Sequence, residues 1–540
     1  MSPVKAPPNF NFASIWEMAA DAVPDREALV VGGQRRTYAQ LDDRVRRLAN
    51  HLAGQGIGHG DHVALYLENC AEYLEAMLAA FTLRAVPINV NHRYVADELG
   101  YLLDNSDAAA VITQPSLAST VAAVVGSGNL PAVGFTLETG DEYDAALRAA
   151  ADERPAIARS EDDHYIIYTG GTTGMPKGVV WRQVDAFYAC IGGGDPMRLF
   201  GVVERPDELP GRISEHPICF LPLAPMMHAA AQWTSLGWLF SGSKVVLMPG
   251  SLDADAVWRT VEREKVNGLT VVGDAVARPL LDAWDRAGGY EVTSLFTFSN
   301  GGAPMSPSTR ERVFATLPAH VGLADGFGSS EAGTQVSMRV SAKNRPAGDS
   351  PVRFNAPAKP TIVVDDDGNE VIPGSGVVGH VLAGGRLPLG YYNDPDKTAA
   401  TFVERSGQRW LITGDVATVT ADGSIELRGR GSVSINTGGE KVFPEEVEAA
   451  LKAHASIYDC VVVGVPDERW GSAVTAVVQP APGAEPTLLE LATHCKVSLA
   501  GYKAPKRLVL VDRIVRSPSG KADYRWARAT AEKAVGRQPA

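Results

Sequence analysis

Apolar residues switch between two periods along most of this chain, and the switching predicts strands and helices in succession. Thr37-Tyr-Ala-Gln-Leu-Asp42 reads as a capped helix start, and the apolar spacing from Leu41 to Leu52 is helical. His62-Val-Ala-Leu-Tyr-Leu67 predicts a strand, Glu72 to Leu83 a helix, and Ala109-Ala-Val-Ile-Thr113 a further strand. The pattern returns between 216 and 300, with strands at Lys244-Val-Val-Leu-Met248 and Gly268-Leu-Thr-Val-Val272 and helices over Asp255 to Lys265 and Val276 to Ala287. Such alternation implies α/β layers with largely parallel sheets.

From 360 to 430 the pattern changes to short strands broken by Asp-Gly turns, including Thr361-Ile-Val-Val364, Asp367-Gly368, Gly379 to Leu382 and Asp422-Gly423. An antiparallel sheet or small barrel is expected there. A boundary falls at Arg428-Gly-Arg-Gly-Ser432, beyond which lies a unit of about 110 residues, a normal domain size. Pro444 sits where a first helical residue would, with Glu445 and Glu446 in the first turn. Cys460 to Val465, Ala473 to Val478 and Leu508 to Val511 read as strands, and Leu488 to Leu499 as a helix. The expected fold class is α/β: a large N-terminal domain (1–430) of layered α/β subdomains with a small β-barrel-like subdomain, then a small α+β domain (431–540).

Composition bounds the partners. A chain of 540 residues is too long for one core. Its net charge of −13 argues against nucleic acid as the main partner, so an anionic ligand would need a locally positive site. The cysteines (Cys70, Cys190, Cys219, Cys460, Cys495) are scattered without a CxxC pair, which excludes the usual zinc or redox signatures and suits a reducing cytoplasm. The N-terminus has no signal-like apolar core, and no apolar run is long enough to span a membrane. Peripheral membrane contact and a homodimer stay open.

Tyr168-Thr-Gly-Gly-Thr-Thr-Gly-Met-Pro-Lys-Gly178 is the densest chemical signal, with four glycines, three threonines and a lysine between two apolar runs. Glycines let backbone N–H groups approach a phosphate, hydroxyls donate to its oxygens, and lysine supplies charge. It is not a Walker A loop, because Pro176 precedes Lys177 and Gly178 follows it. A mobile surface loop is the plainer alternative. Gly326-Phe-Gly-Ser-Ser-Glu331 ends in a carboxylate able to hold Mg²⁺ beside phosphates, Thr413-Gly-Asp415 offers a carboxylate for ribose hydroxyls, and Ser517-Pro-Ser-Gly-Lys521 sets a lysine on a turn. Two other motifs read as turns. Gly374-Ser-Gly-Val-Val-Gly379 matches the dinucleotide fingerprint but has no following helix, and Asp365-Asp-Asp-Gly368 lacks the ligand spacing of a calcium loop.

Singly each motif could be a turn; together, in this order and over nearly the whole chain, they closely resemble the adenylate-forming superfamily of acyl-CoA synthetases, peptide-synthetase adenylation domains and luciferases. The resemblance rests on Thr169 to Gly178, Gly326 to Glu331, Trp410 to Asp415, Pro518 to Lys521, and the junction Arg428-Gly-Arg430 with Gly438-Gly439-Glu440-Lys441. It implies that Thr169, Gly170, Gly171, Thr172, Thr173 and Lys177 handle the phosphates of ATP. Gly302, Ala303, Pro304 and Asp325 would line the adenine site, with Phe327 stacking on the base. Ser330 would contact the α-phosphate, Glu331 would hold Mg²⁺, Asp415 would bind the ribose with Arg430 nearby, and Lys521 would bridge the acyl carboxylate and the α-phosphate. Gly439 and Lys441 would border the coenzyme A path once a mobile C-terminal domain has rotated. Family members often carry Asp or Lys where this chain has Ser432, so Gly431 and Ser432 share the hinge expectation.

Pro222-Leu-Ala-Pro-Met-Met-His228 aligns with the segment entering the acyl site, where His228 lines or gates the pocket or is a core histidine. Small residues at Ala229-Ala-Ala231, Gly301 and Gly302 leave room for a wide acyl group or permit close helix packing. Gly178 to Gln183, Gly273 to Pro279 and Gly429 to Phe443 resemble an actinobacterial lipid-degrading branch that includes cholesterol side-chain synthetases. The expected activity is an ATP- and Mg²⁺-dependent ligase joining a bulky apolar carboxylic acid, steroid side-chain or fatty, to coenzyme A through acyl-AMP. The rivals are an acyl-AMP ligase serving a carrier protein in trans and a non-catalytic nucleotide-binding homologue.

Overall fold

Two large sheets face each other across a shared apolar layer. A computed structural model describes residues 9–130, 132–169, 175–197, 199–341, 353–354, 360–437, 440–467, 470–517 and 520–535. One sheet has eight strands, in the order Gly333–Val340, Gly322–Ser329, Thr297–Asn300, Gly268–Val271, Cys219–Pro222, Lys244–Leu247, Glu27–Val31 and Gln34–Thr37, parallel except at its two ends. The other has seven, with Val86–Asn89, His62–Tyr66, Ala108–Thr113 and Phe135–Glu138 parallel and the hairpin His164–Thr169/Lys177–Arg182 antiparallel. Phe12, Trp16, Phe81, Tyr165, Trp181 and Phe240 fill the layer between them, each 2% exposed or less.

Local sequence explains how these elements begin. Thr37 caps the helix Tyr38–Gly54 reciprocally: its hydroxyl accepts from the Gln40 N–H at 3.2 Å, and its own N–H donates to the Gln40 carbonyl oxygen Oε1 at 2.9 Å. The helix Ala71–Thr82 is apolar all round because it is buried all round. Its one interior acid, Glu75, pairs with Arg44 at 2.6 Å and accepts from the Tyr143 hydroxyl at 2.9 Å. The helix Gly273–Ala287 starts earlier than the pattern predicts and passes through Pro279. Gly273 has φ +58°, and a Cβ there would lie 2.6 Å from the Pro304 carbonyl oxygen, so only glycine fits this close approach.

An antiparallel sheet of six strands between 353 and 430 matches the expected change of style. Asp365 to Gly368 is a turn between Thr361–Val364 and the residues returning toward Val378–Ala383, and Gly374 leads into a strand rather than a helix. The strand Ile425–Arg430 runs into the short 3-10 turn Gly431–Val433, where the Ser434 N–H and hydroxyl both donate to the Gly431 carbonyl. The small C-terminal domain follows. Ile457–Asp467, Gly471–Pro480 and Arg507–Leu510 form its sheet, packed by Pro444–Lys452, Leu488–Ser498 and Tyr524–Val535.

Candidate active site

A cavity of about 700 Å³ opens at the carboxyl ends of parallel strands from both large sheets. Val272, Asn300, Gly301 and Gly302 line it from one sheet and Asn89 and Thr169 from the other. This is where open α/β sheets place ligands, because the loops leaving the strands diverge there.

Two buried asparagines build the rim, and neither stood out in the sequence. Asn89 accepts from the Tyr168 N–H at 2.7 Å and donates to the carbonyls of Tyr168 and Met227 at 2.8 and 2.7 Å, tying the glycine-threonine hairpin to the segment that ends at His228. Asn300 accepts from the Gly273 N–H at 2.8 Å and donates to the Ala303 carbonyl at 3.1 Å and the Asp325 carboxylate at 2.8 Å. Their only sequence signal is a polar residue closing an apolar strand.

The helix Ala229–Phe240 contributes Ala230, Trp233, Thr234, Gly237 and Trp238 to the lining, and Pro196, Met197 and Phe220 add to its apolar part. Ala229 and Ala230 line the space as the small-residue pattern suggested, whereas Ala231 is fully buried in the inter-sheet core. Gly301 and Gly302 also line the cavity. His228, half-buried at the cap of the helix, is on the wall.

Of the phosphate candidates, Thr169, Ser330 and Lys521 line the cavity, and Lys177, Asp325 and Glu331 do not. Thr169 ends its strand opposite Lys177. Lys177 does not line the cavity; its ammonium pairs with Asp394 at 2.6 Å and lies 5.7 Å from the Tyr391 ring centroid. That contact holds the Asp394 carboxyl below its usual range. Ser330 lines the cavity, and its carbonyl accepts from the Trp181 indole N–H at 2.9 Å. Glu331 accepts from the Tyr391 hydroxyl at 3.1 Å; burial first, then this carboxylate, pushes the Tyr391 phenol up. Asp325 lies behind the lining, held by Asn300 and by Arg310 at 2.5 Å. Ala303 and Pro304 follow Gly302 outside the lining. Gly170, Gly171, Thr172, Thr173 and Gly439, and the side chains of Phe327, Arg430 and Ser432, lie outside the described residues.

Asp415 is buried, and its strand position pairs with Arg430. Lys441 is exposed on the hairpin Ile435–Thr437/Glu440–Val442, away from the cavity lining. Lys521 is brought in from the C-terminal domain. Its turn closes through the Ser517 N–H donating to the Lys521 carbonyl at 2.8 Å and the Lys521 N–H donating to the Ser517 hydroxyl at 3.1 Å. Lys521 lines the cavity together with Ser517, Tyr524 and Arg525. Among the described lining residues Arg93, Arg339, Lys521 and Arg525 face only Glu98 and Asp523 as acids, giving the local positive site that an acidic chain needs for a polyanion.

The family model of the AMP-binding enzymes matches residues 16–392, and that of their C-terminal domain matches 446–521. The chain belongs to the AMP-binding enzyme family. A medium/long-chain-fatty-acid–CoA/3-oxocholest-4-en-26-oate–CoA ligase of Mycobacterium marinum is 45% identical over 538 residues, covering 97% of this chain and 96% of its own length. A 3-oxocholest-4-en-26-oate–CoA ligase of Rhodococcus rhodochrous is 45% identical over 535 residues, covering 96% of this chain and 95% of its own length. ATP-bound MatB from Rhodopseudomonas palustris superposes with a TM-score of 0.79 at 25% identity, over 97% of this chain and 99% of that one. As in other AMP-binding enzymes, a large mixed α/β domain precedes a small C-terminal one. No helix among the described residues is long and apolar enough to cross a membrane.

Proposed function

We propose that this AMP-binding enzyme is an acyl-CoA ligase that activates a bulky apolar carboxylic acid, a steroid side-chain acid or a medium- to long-chain fatty acid. The observation that supports the reading is one cavity lined both by polar groups suited to a phosphate, Lys521, Ser330 and Thr169, and by a large apolar set, Trp233, Trp238, Met197 and Phe220. A volume of about 700 Å³ lies within the roughly 300–1,000 Å³ of sites that enclose a whole ligand. The ligases from Mycobacterium marinum and Rhodococcus rhodochrous act on acids of this class.

The chemistry follows from charge. An acyl carboxylate and the α-phosphate repel each other, and a fixed cation between them lowers the barrier because it need not reorganise during reaction. Lys521 fills that role. The carboxylate oxygen attacks the α-phosphorus, the bond to the β-phosphate oxygen breaks, and acyl-AMP and pyrophosphate result. The coenzyme A thiol, losing its proton, then attacks the acyl carbon and AMP leaves. Thr169, Gly170, Gly171, Thr172, Thr173 and Lys177 bind the pyrophosphate portion; Gly302, Ala303, Pro304, Asp325 and Phe327 form the adenine side, and Asp415 with Arg430 the ribose side. Domain 1–430 holds these groups and domain 431–540 delivers Lys521, then Gly439 and Lys441 for the thiol step.

Mg²⁺ fits this donor set. Glu331 is a partly exposed hard oxygen ligand oriented by the Tyr391 hydroxyl, and no group of three or more His, Cys, Asp or Glu side chains among the described residues forms an all-protein cage. One carboxylate plus phosphate oxygens is the usual Mg²⁺ arrangement. The ion would supply charge neutralisation on the phosphates. No disulfide joins the five cysteines, which suits a cytoplasmic setting; a homodimer is the assembly to test by light scattering.

The test is product analysis. Incubation with ATP, Mg²⁺, coenzyme A and mixed steroid, aromatic and fatty acids should yield AMP and the thioesters of the bulky apolar acids. Absence of AMP with every acid would refute the reading. Acyl-AMP that accumulates without thioester would assign the acceptor to a carrier protein.

A further inference from the structure

A buried line of charges crosses the seam between the two domains and ends at the lysine turn. On the N-terminal side is Asp274, in the first turn of Gly273–Ala287, with its side chain 2% exposed. The Lys452 ammonium of the C-terminal domain approaches its carboxylate at 3.3 Å and that of Asp459 at 3.5 Å. Asp459 in turn holds Arg516 in a two-point contact, at 2.9 Å through Nε and 2.6 Å through Nη2. Arg516 donates its remaining terminal nitrogen to the Gly520 carbonyl at 3.3 Å, one residue before Lys521.

The same place is a close steric fit. Gly520 has φ +76°, and a Cβ there would lie 3.3 Å from the carbonyl oxygen and a methyl of Val272, the residue that caps the Asp274 helix. Other seam contacts are hydrogen bonds: Arg278 and Ser308 donate to the Lys452 carbonyl at 3.4 and 3.1 Å, Arg278 also donates to the Tyr458 carbonyl, and the Tyr458 hydroxyl donates to Asp282 at 3.0 Å.

We propose that Lys452 and Arg516 are positioning residues for acyl-AMP formation: Lys452 pairs directly with Asp274 across the seam, Asp459 links Lys452 to Arg516, and together they hold the C-terminal domain where Lys521 enters the cavity. This rests on the reading of Lys521 as the adenylation lysine. Burial by itself favours a neutral Asp274, yet Lys452, Arg278 and the Ser306 N–H together pull its carboxyl down to about 2, so the seam is ionised at neutral pH. Each charge at the crossing also has a partner in its own domain. Asp274 keeps Arg278 at 3.9 Å and the Ser306 N–H at 2.9 Å, and Lys452 keeps Asp459. Parting the domains therefore leaves neither ion alone, which is the condition for a buried pair to open cheaply. The contact is thus built to form for the first half-reaction and to release for the second.

The experiment separates the two halves. Acyl-AMP formation is followed by pyrophosphate release in single turnover, and thioester formation is followed from supplied acyl-AMP and coenzyme A. Asp274→Asn, which can keep the Ser306 hydrogen bond, and Lys452→Met should each slow the first half about tenfold and leave the second within about twofold. The double variant should lose no more than either single one, since both remove the same contact. Rescue is expected from Lys452→Arg, which retains the charge. Lys521→Ala is the control: if it spares the first half, the reading of Lys521 fails. If Lys521→Ala abolishes the first half while Asp274→Asn and Lys452→Met leave it intact, or reduce both halves equally, the positioning role is overturned.

Discussion

Lys177 and Lys521 are both lysines next to a turn, both assigned to anionic substrate groups, and the molecule treats them differently. Lys177 belongs to the same hairpin as Thr169 and is tied within the N-terminal domain to Asp394. Its position relative to the cavity is set when that domain folds. Lys521 lies on another domain, joined through the short turn Gly431–Val433 and steadied by contacts across a seam. Its position relative to the cavity depends on those contacts. Under the proposed mechanism Lys177 acts from within one folded body, whereas Lys521 serves only one half-reaction and sits on a second body whose contacts with the first can open.

Removing Lys521 should break this comparison most sharply. Lys521→Ala should lower acyl-AMP formation by roughly 10²–10³-fold, the loss usual for a preorganised charge in a transition state, and change thioester formation from supplied acyl-AMP by less than about threefold. Equal losses in both halves would make the two lysines alike.

A smaller effect is expected from acid. The folded-state carboxyl of Asp274 lies at about 2, below its ordinary 3.8. A depressed carboxyl stabilises the fold above its unfolded value and loses that contribution as pH falls through its folded value. The shift corresponds to about 2 kcal/mol at neutral pH. Denaturation of the protein and of Asp274→Asn should differ by about that much at pH 7 and converge as pH approaches 2. A constant gap would remove the charge from the account of the seam.

The smallest effect belongs to the fixed lysine. Lys177→Ala should reduce kcat/KM for ATP about tenfold, mostly through KM, and Asp394→Asn by less, since the pair is partly exposed and weak. A loss with Lys177→Ala as large as that from Lys521→Ala, confined to kcat, would reverse their ranking.

Much of the frame was legible beforehand because it depends on short-range pattern. The runs at 62–67, 109–113, 244–248 and 460–465 are strands within a few residues of expectation, and Thr37 and Pro444 start helices as their chemistry requires. The hairpin at 322–340, which carries Ser330, was not evident, since glycine-rich strands lack a clear period. Asn89 and Asn300 were equally hidden. An asparagine after an apolar run looks like a turn residue until the carbonyls it reaches are known.

The sequence by itself determined the α/β layering, the change to antiparallel strands near 360, the small final domain and the family, because periodicity and ordered motifs are local quantities. Only the tertiary structure decided that Lys177 pairs with Asp394, that Trp233 and Trp238 wall the cavity while Ala231 does not, and that Asp274 meets Lys452. Each of those is a pairing between segments far apart in the chain. Burial selects such pairings, since charges and amides taken from water must find partners where the fold places them, and no local pattern records which partner that is.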